Sequence, residues 1–272
     1  MGSIRSPRLR AMIDTHTPAL ARTYRRARDT LQASRFKPEP TGLGFSILRG
    51  GEYANRLVGT ELPAFQRCVV DVDLFVDVGA NVGFFTLLAS RAGVGTLAVE
   101  PSPMNLKHLY RNLQTAAGSG AVEILPVALS DAVGVIDLLG SGQGASVRPG
   151  WGGIASNYAT QVPMTTLDSI LFGREGRLLI KIDVEGNEDA VLRGASTTLG
   201  RSPRPTWLVE HGPEVRAGYV EFFDEFWERN YRVTALPETR GAAPHTIDRS
   251  TAVDWEESRF APELMFLCEP AD

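Results

Sequence analysis

The sequence predicts an α/β fold, a doubly wound and mostly parallel sheet with helices packed on its faces. Three observations carry that prediction. Short apolar, β-rich runs alternate with helix-spaced segments from LFVDVGA (74–80) to TWLVEHGP (206–213), the order expected of βαβ units in a parallel sheet. The first run passes through a glycine turn directly into a helical pattern, VDVGANVGFF (76–85), and strand, glycine turn and helix open many nucleotide-binding domains. The last two runs, YRVTALPE (231–238) and ELMFLCEP (263–270), have no obvious helix between them, which predicts an antiparallel edge.

Taken in order, TPALARTYRRARDTLQASR (17–35) reads as a helix with Thr17 as N-cap and Pro18 at the first helical position. A Pro/Gly break, KPEPTGLG (37–44), leads into a short strand-like pair through residue 59. Residues 1–60 are therefore read as an N-terminal extension and residues 61–272 as the main domain. NVGFFTLLASRAG (81–93) is helical and stops at Gly93. GTLAVEP (95–101) is the second strand, and PMNLKHLYRNLQTAAG (103–118) is a helix opened by Pro and closed by Gly. VEILPVALSD (122–131) is the third strand, with VGVIDLLG (133–140) as a hairpin insertion. LLIKIDVEG (178–186) is the fourth, followed by helical NEDAVLRGASTTLG (187–200), and a helix through EFFDEFWERN (221–230) precedes the last pair. SGQGASVRPGWGG (141–153) is too glycine-rich for regular structure and is expected as a mobile loop near the cleft.

The 272 residues include 43% hydrophobic side chains, enough to bury a sizeable core. A formal charge of −4 is mild, and nucleic acid is not an expected partner. Basic residues do crowd the N-terminus, where nine Arg and Lys precede residue 38 against Asp14 and Asp29; a solvated helix face and a site for an anionic partner are the two readings. The two cysteines, Cys68 and Cys268, have no metal-binding or disulfide-framework spacing. With no apolar run long enough to span a bilayer and no secretory signal pattern, the expected location is cytoplasmic.

In such sheets, ligands sit beyond the carboxyl ends of the strands. A dinucleotide turn, G-x-G-x-x-G, would place glycines at positions 81 and 84; this chain has Asn81 and Phe84. Gly79 allows a tight turn and close backbone approach. The Asp77 carboxylate would repel a pyrophosphate and suit a cationic amine. Glu100 ends the second strand about 20 residues after the turn, where a carboxylate can accept two ribose hydroxyls. S-adenosylmethionine fits a ligand with ribose and an ammonium but no diphosphate.

The stretches FVDVGANVGFFT (75–86), VEPSP (99–103), PVALSD (126–131), TTLD (165–168), LIKIDVEGNEDAVLRGA (179–195) and VE (209–210) together resemble the FkbM family of S-adenosylmethionine-dependent O-methyltransferases. The resemblance covers roughly residues 60–235. It implies a Rossmann-like class I methyltransferase fold with a seven-stranded sheet. It also implies cofactor contacts at Asp77, Gly79, Asn81, Glu100 and the stretch from Ala128 to Asp131. Gly59-Thr60-Glu61 is similar to a family segment ahead of the sheet, which would turn Glu61 toward the site. A homodimer is a further expectation.

For the chemistry, alternation along the fourth strand puts Lys181, Asp183 and Glu185 on one side. An ion pair of Lys181 with Asp183 or Glu185 is the structural alternative to a catalytic role, and Glu188 is expected to charge a helix start. Asp183, Glu210 and His211 are expected to converge from neighbouring strand ends. Two readings are open there. A carboxylate or His211 removes the proton of an acceptor hydroxyl, or Asp183 and Glu210 hold Mg²⁺, which lowers the pKa of that hydroxyl. The expected activity is methyl transfer to a hydroxyl of a sugar, glycan or secondary metabolite. A non-catalytic S-adenosylmethionine-binding protein and an NAD(P)-linked oxidoreductase are the alternatives. His245, Trp151, Tyr158 and Trp255 are placed in loops, and His16 and His108 on helix surfaces.

Overall fold

The architecture was analysed in a computed structural model, which describes residues 37–48, 61–140, 144–151, 159–212, 218–237, 242–258 and 265–271. The predicted helix over residues 17–35, and with it His16, Gly59, Thr60 and Tyr158, lies outside the described residues.

The chain enters through a short antiparallel pair, β1 (Pro38–Pro40) and β2 (Ser46–Leu48). Asn112 anchors this pair, accepting the Leu48 N–H at 2.8 Å while donating to the Val82 carbonyl at 2.8 Å. Helix α1 (Glu61–Val69) then leads into β3 (Leu74–Val78), α2 (Phe84–Arg91), β4 (Gly95–Val99), α3 (Pro103–Ala116) and β5 (Val122–Leu125). The start of α3 follows the expected chemistry: Pro103 opens it and the Ser102 hydroxyl caps it, accepting from the Asn105 N–H.

The run 122–131 is not one strand. Pro126 lacks the N–H a ladder needs, so β5 stops at Leu125 and β6 (Ala128–Leu129) joins a separate sheet with β7 (Gly134–Leu139) and β8 (Ala159–Thr165). The hairpin expected at 133–140 is thus one strand of this smaller sheet. Its partner β8 went unread in the sequence. Helix α4 (Leu167–Leu171), capped by Thr166, leads to β9 (Leu178–Ile182), α5 (Glu188–Arg193) and α6 (Ser196–Leu199). The single helix expected over 187–200 divides at Gly194, where a Cβ would lie 2.1 Å from the Ser130 carbonyl oxygen. That approach binds the break to the β6 strand end.

β10 (Thr206–Glu210), α7 (Tyr219–Trp227), β11 (Tyr231–Leu236), β12 (His245–Ile247), α8 (Arg249–Ser258) and β13 (Met265–Pro270) complete the chain. The large sheet runs β12–β11–β13–β10–β9–β3–β4–β5, with β10, β9, β3, β4 and β5 parallel and β13 antiparallel to both its neighbours. The doubly wound fold and its antiparallel edge are as expected. β12 adds an eighth strand to the expected seven, so exposed His245 lies on an edge strand rather than in a loop. α8 occupies the connection read as helix-free, and Trp255 lies on it. Its cap was present in the sequence: Asp248 accepts the Thr251 N–H at 2.9 Å.

Two apolar layers cover the sheet. On one face Val76, Ile180, Trp207 and Val209 pack beneath Phe222, Phe223 and Phe226 of α7. On the other, Phe75, Leu179 and Leu208 meet Phe65 of α1 and Phe85 of α2, with Phe65 edge-on to Phe75 at 5.0 Å and to Phe85 at 4.9 Å. The strand order reverses between β3 and β9, and the carboxyl ends of those two strands open the crevice described next.

Candidate active site

The crevice is built where β3 and β9 turn into their helices. Gly79 (φ 85°), Asn81 (φ 53°) and Gly83 (φ 91°) take left-handed conformations in the β3–α2 turn. Gly79 also comes so close to the next strand that a Cβ would lie 1.8 Å from the Asp183 carbonyl oxygen. The two turns are therefore locked together.

Gly79, Asn81, Glu100, Ala128 and Asp183, all predicted site residues, line this crevice. Val99, Val127, Leu129, Leu138 and Val147 form its apolar wall, and Asn105 and Asn187 add polar edges. Glu100 is 4% exposed. It accepts from the Asn81 N–H at 2.8 Å, the Ser102 N–H at 2.7 Å and the Asn105 side-chain amide at 3.2 Å. Burial outweighs these bonds and pushes its carboxyl up to about 7. Oε2 accepts a single protein bond and keeps a lone pair for a ligand hydroxyl. The Asn81 side-chain oxygen is enclosed and has no hydrogen-bond partner among the described residues. An unpaired buried acceptor beside a half-used carboxylate fits a ligand that brings hydroxyl and amine donors. Asn105 was missed in the sequence, although it sits one turn beyond the Ser102 cap.

Asp77 is placed differently from the expectation. It lies 2% exposed beneath the turn, accepting from the Thr86 hydroxyl at 2.5 Å, and burial pushes its pKa up. Its parallel-strand partner is Lys181, and the two line a small recess separate from the main crevice. The cation that Asp77 meets is thus the protein's own lysine.

Lys181 organises the floor. It is 2% exposed, with Nζ 2.7 Å from Asp183 Oδ2, 3.7 Å from Glu61 Oε1 and 4.9 Å from the Phe85 ring centroid. The expected alternation carries only part of the way, because β9 ends at Ile182. Glu185 adopts φ 57°, still lines the crevice as expected, and accepts from Trp151 Nε1 at 2.8 Å. Glu61, at the start of α1, reaches Lys181, and burial pushes its carboxyl up to about 7. Glu210 hydrogen-bonds Asp183, and burial first, then the charge of Asp183, holds its pKa well above the carboxylate range. Asp183 therefore lies between the Lys181 ammonium and the Glu210 carboxyl. This set does not fit a divalent cation. Lys181 already binds Asp183 and supplies the compensating charge, and no cluster of three or more His, Cys, Asp and Glu suited to a metal occurs among the described residues.

Two expected residues lie elsewhere. His211 is 1% exposed, its ring stacked on Phe222 at 4.1 Å and edge-on to Tyr219 at 4.7 Å. It continues the Trp207–Val209 face of β10 into the α7 layer, opposite Glu210, so the three-residue convergence reduces to Asp183 and Glu210. Asp131 is exposed and pairs with Arg193 at 3.1 Å, outside the crevice lining. His108, expected on a surface, is fully buried. Glu188 is buried rather than merely charging a helix: its Oε1 accepts from the Val184 and Gly186 N–H groups, holding the β9–α5 turn. Burial pushes its carboxyl up to about 7. Gly144, Ala145 and Val147 bring the glycine-rich segment to the crevice wall.

The fold has distant counterparts among solved structures. Magnesium protoporphyrin IX methyltransferase from Synechocystis PCC 6803, with bound SAM, is 9% identical, with 93% of this chain and 97% of that chain covered at a TM-score of 0.43. A TehB-like SAM-dependent methyltransferase from Corynebacterium glutamicum is 11% identical, covering 82% and 98% at 0.40. The Pyrococcus abyssi tRNA (uracil-54, C5)-methyltransferase, in complex with S-adenosyl-L-homocysteine, is 13% identical, covering 86% and 43% at 0.41. No curated protein matches the chain. The family model described as the methyltransferase FkbM domain matches residues 77–233, from the buried Asp77 of β3 into β11. That span is more than half of the chain and holds every strand end that shapes the crevice: the protein belongs to the FkbM methyltransferase family.

Proposed function

We propose that the protein is an S-adenosylmethionine-dependent O-methyltransferase acting on a hydroxyl of a sugar, glycan or secondary metabolite. The observation that carries this reading is the placement of Asp183 in the same crevice as Glu100 and the unpaired Asn81 oxygen. Glu100 Oε2 would accept a ribose hydroxyl, Asn81 would meet the ammonium end, and the apolar wall through Val99, Val127 and Leu138 would enclose the adenine. Bound there, S-adenosylmethionine supplies a methyl group activated by its sulfonium, and S-adenosylhomocysteine leaves with the electron pair of the broken bond. Asp183 takes the proton of the acceptor hydroxyl as the new oxygen–carbon bond forms. Lys181 and Glu210 hold its carboxylate in place. No metal is needed in this scheme, since Lys181 provides the positive charge near the base.

Calorimetry with S-adenosylhomocysteine tests the cofactor, and methyl release across a panel of hydroxylated acceptors, with and without chelator, tests the reaction. Expected are saturable S-adenosylhomocysteine binding, no NAD binding, and turnover indifferent to chelation. A protein that binds no S-adenosylhomocysteine removes the proposal. One that binds it without turning over any acceptor is the non-catalytic alternative.

A further inference from the structure

Arg148 differs from the other arginines whose contacts the structure gives. Elsewhere they pair with carboxylates, as Arg174 does with Glu123 at 2.7 Å and Arg249 with Asp224 at 2.6 Å, or donate to carbonyls, as Arg204 does. Among the described residues Arg148 has neither kind of acceptor, and its Nη1 is enclosed without a hydrogen bond. A guanidinium kept partly from water without an anion is unfavourable unless something compensates. Its Cζ stands 5.6 Å from the Trp151 ring centroid, a cation–π distance. A cation–π contact makes no N–H···O bond, so the guanidinium donors are still unmatched by an anion.

The support beneath this pair is hydrogen-bonded. Ser146 donates to the Glu185 carbonyl at 2.6 Å and accepts the Arg148 N–H at 3.0 Å. Trp151 donates to the Glu185 carboxylate, and its ring lies against Gly186 so closely that a Cβ there would be 2.4 Å away. The pair is thereby fixed to the turn that begins with Asp183, and Val147, next to Arg148, lines the crevice. Arg148 as a whole residue is half-buried.

We propose that Arg148, held over the Trp151 ring, is the recognition point for an anionic group on the acceptor, a carboxylate or a phosphate. The acceptor class becomes an acidic or phosphorylated hydroxyl compound. The inference rests on the reading of the crevice as a methyl-transfer site and narrows its substrate. The test uses the full chain saturated with S-adenosylhomocysteine, titrated with D-glucuronate, D-glucose 6-phosphate and D-glucose. At least one anionic sugar should bind about ten-fold or more tightly than glucose; which one does so separates carboxylate from phosphate. R148Q should abolish the preference while leaving S-adenosylhomocysteine affinity and the melting curve unchanged, and R148K should restore part of it. Anionic and neutral sugars binding alike or not at all, or R148Q keeping the preference, overturns the proposal. Repeating the titration without S-adenosylhomocysteine separates the two readings. An Arg148-dependent anion preference in a protein that binds no S-adenosylhomocysteine removes only the methyl-transfer reading.

Discussion

Replacing Lys181 by Met removes a buried cation while nearly preserving the volume of its stem. Lys181 is 2% exposed and lies 2.7 Å from Asp183 and 3.7 Å from Glu61. Two routes give the magnitude. Deleting one partner of a buried pair destabilises by about 3–5 kcal/mol. Alternatively, Asp183 escapes by binding a proton, and protonating an ordinary aspartate of pKa about 3.9 at pH 7 costs roughly 4 kcal/mol. The routes agree on about 4 kcal/mol at neutral pH. The second also sets the pH dependence. Above about pH 4 the folded variant would hold a proton that its unfolded chain has released. Its deficit therefore shrinks as pH falls, by about 1.4 kcal/mol per unit, to roughly 1.5 kcal/mol near pH 5. Urea unfolding of both proteins, followed by circular dichroism between pH 5 and 7, measures this. A deficit below about 1 kcal/mol at pH 7, or one that does not change with pH, would refute the account of Lys181 as the charge that keeps Asp183 ionised.

Other predictions follow from the same geometry. Gly79→Ala should lose about 3 kcal/mol or more in urea unfolding, because it adds a left-handed penalty to a collision with the Asp183 carbonyl; a loss within about 0.5 kcal/mol would show that the two turns are not locked. Asp183→Asn should retain S-adenosylhomocysteine binding in calorimetry but lower kcat by about 10²–10⁴-fold, and an unchanged kcat would exclude Asp183 as the base. S-adenosylhomocysteine should bind more tightly as pH rises from about 5.5 toward 7 and level off above it, by at most about ten-fold per unit. The cause is Glu100, whose carboxyl, pushed up to about 7, must ionise to offer its full acceptor capacity. A Kd flat across that range would rule it out. Glu61, Glu100 and Glu188 are all pushed up to about 7, so the folded state holds protons that an unfolded carboxyl of ordinary pKa 4.5 has released. Their joint contribution to stability is full below about 4.5 and declines as pH rises to about 7, which pH-dependent thermal melting would read as a falling Tm.

Local signals in the sequence were read well where one residue type has one physical use. Pro103 marked the start of α3, and the glycine turn after β3 marked the crevice. Glu100 and Asn81 were legible because strand ends face ligands in a doubly wound sheet. Signals that needed a partner from elsewhere in the chain were misread. Pro126 looked tolerable in a strand until β8 supplied a second sheet for β6 to join. α8 escaped notice because it buries only Ala252, leaving a weak apolar stripe despite the Asp248 cap. His211 resembled a catalytic histidine by position alone, and the face of β10 on which it lies was settled by its packing against α7.

The sequence by itself determined the fold class, the family and the crevice position, because alternating periodicity, glycine turns and strand-end carboxylates are each written in contiguous residues. The tertiary structure alone decided which charges meet. Asp77 and Lys181 stand 104 positions apart and become neighbours only through the register of β3 with β9. Glu61 reaches the same lysine from α1. Whether a buried carboxyl is a base, an acid or a counter-ion depends on what lies within a few ångströms of it once water is excluded, and that neighbourhood exists only in the folded chain.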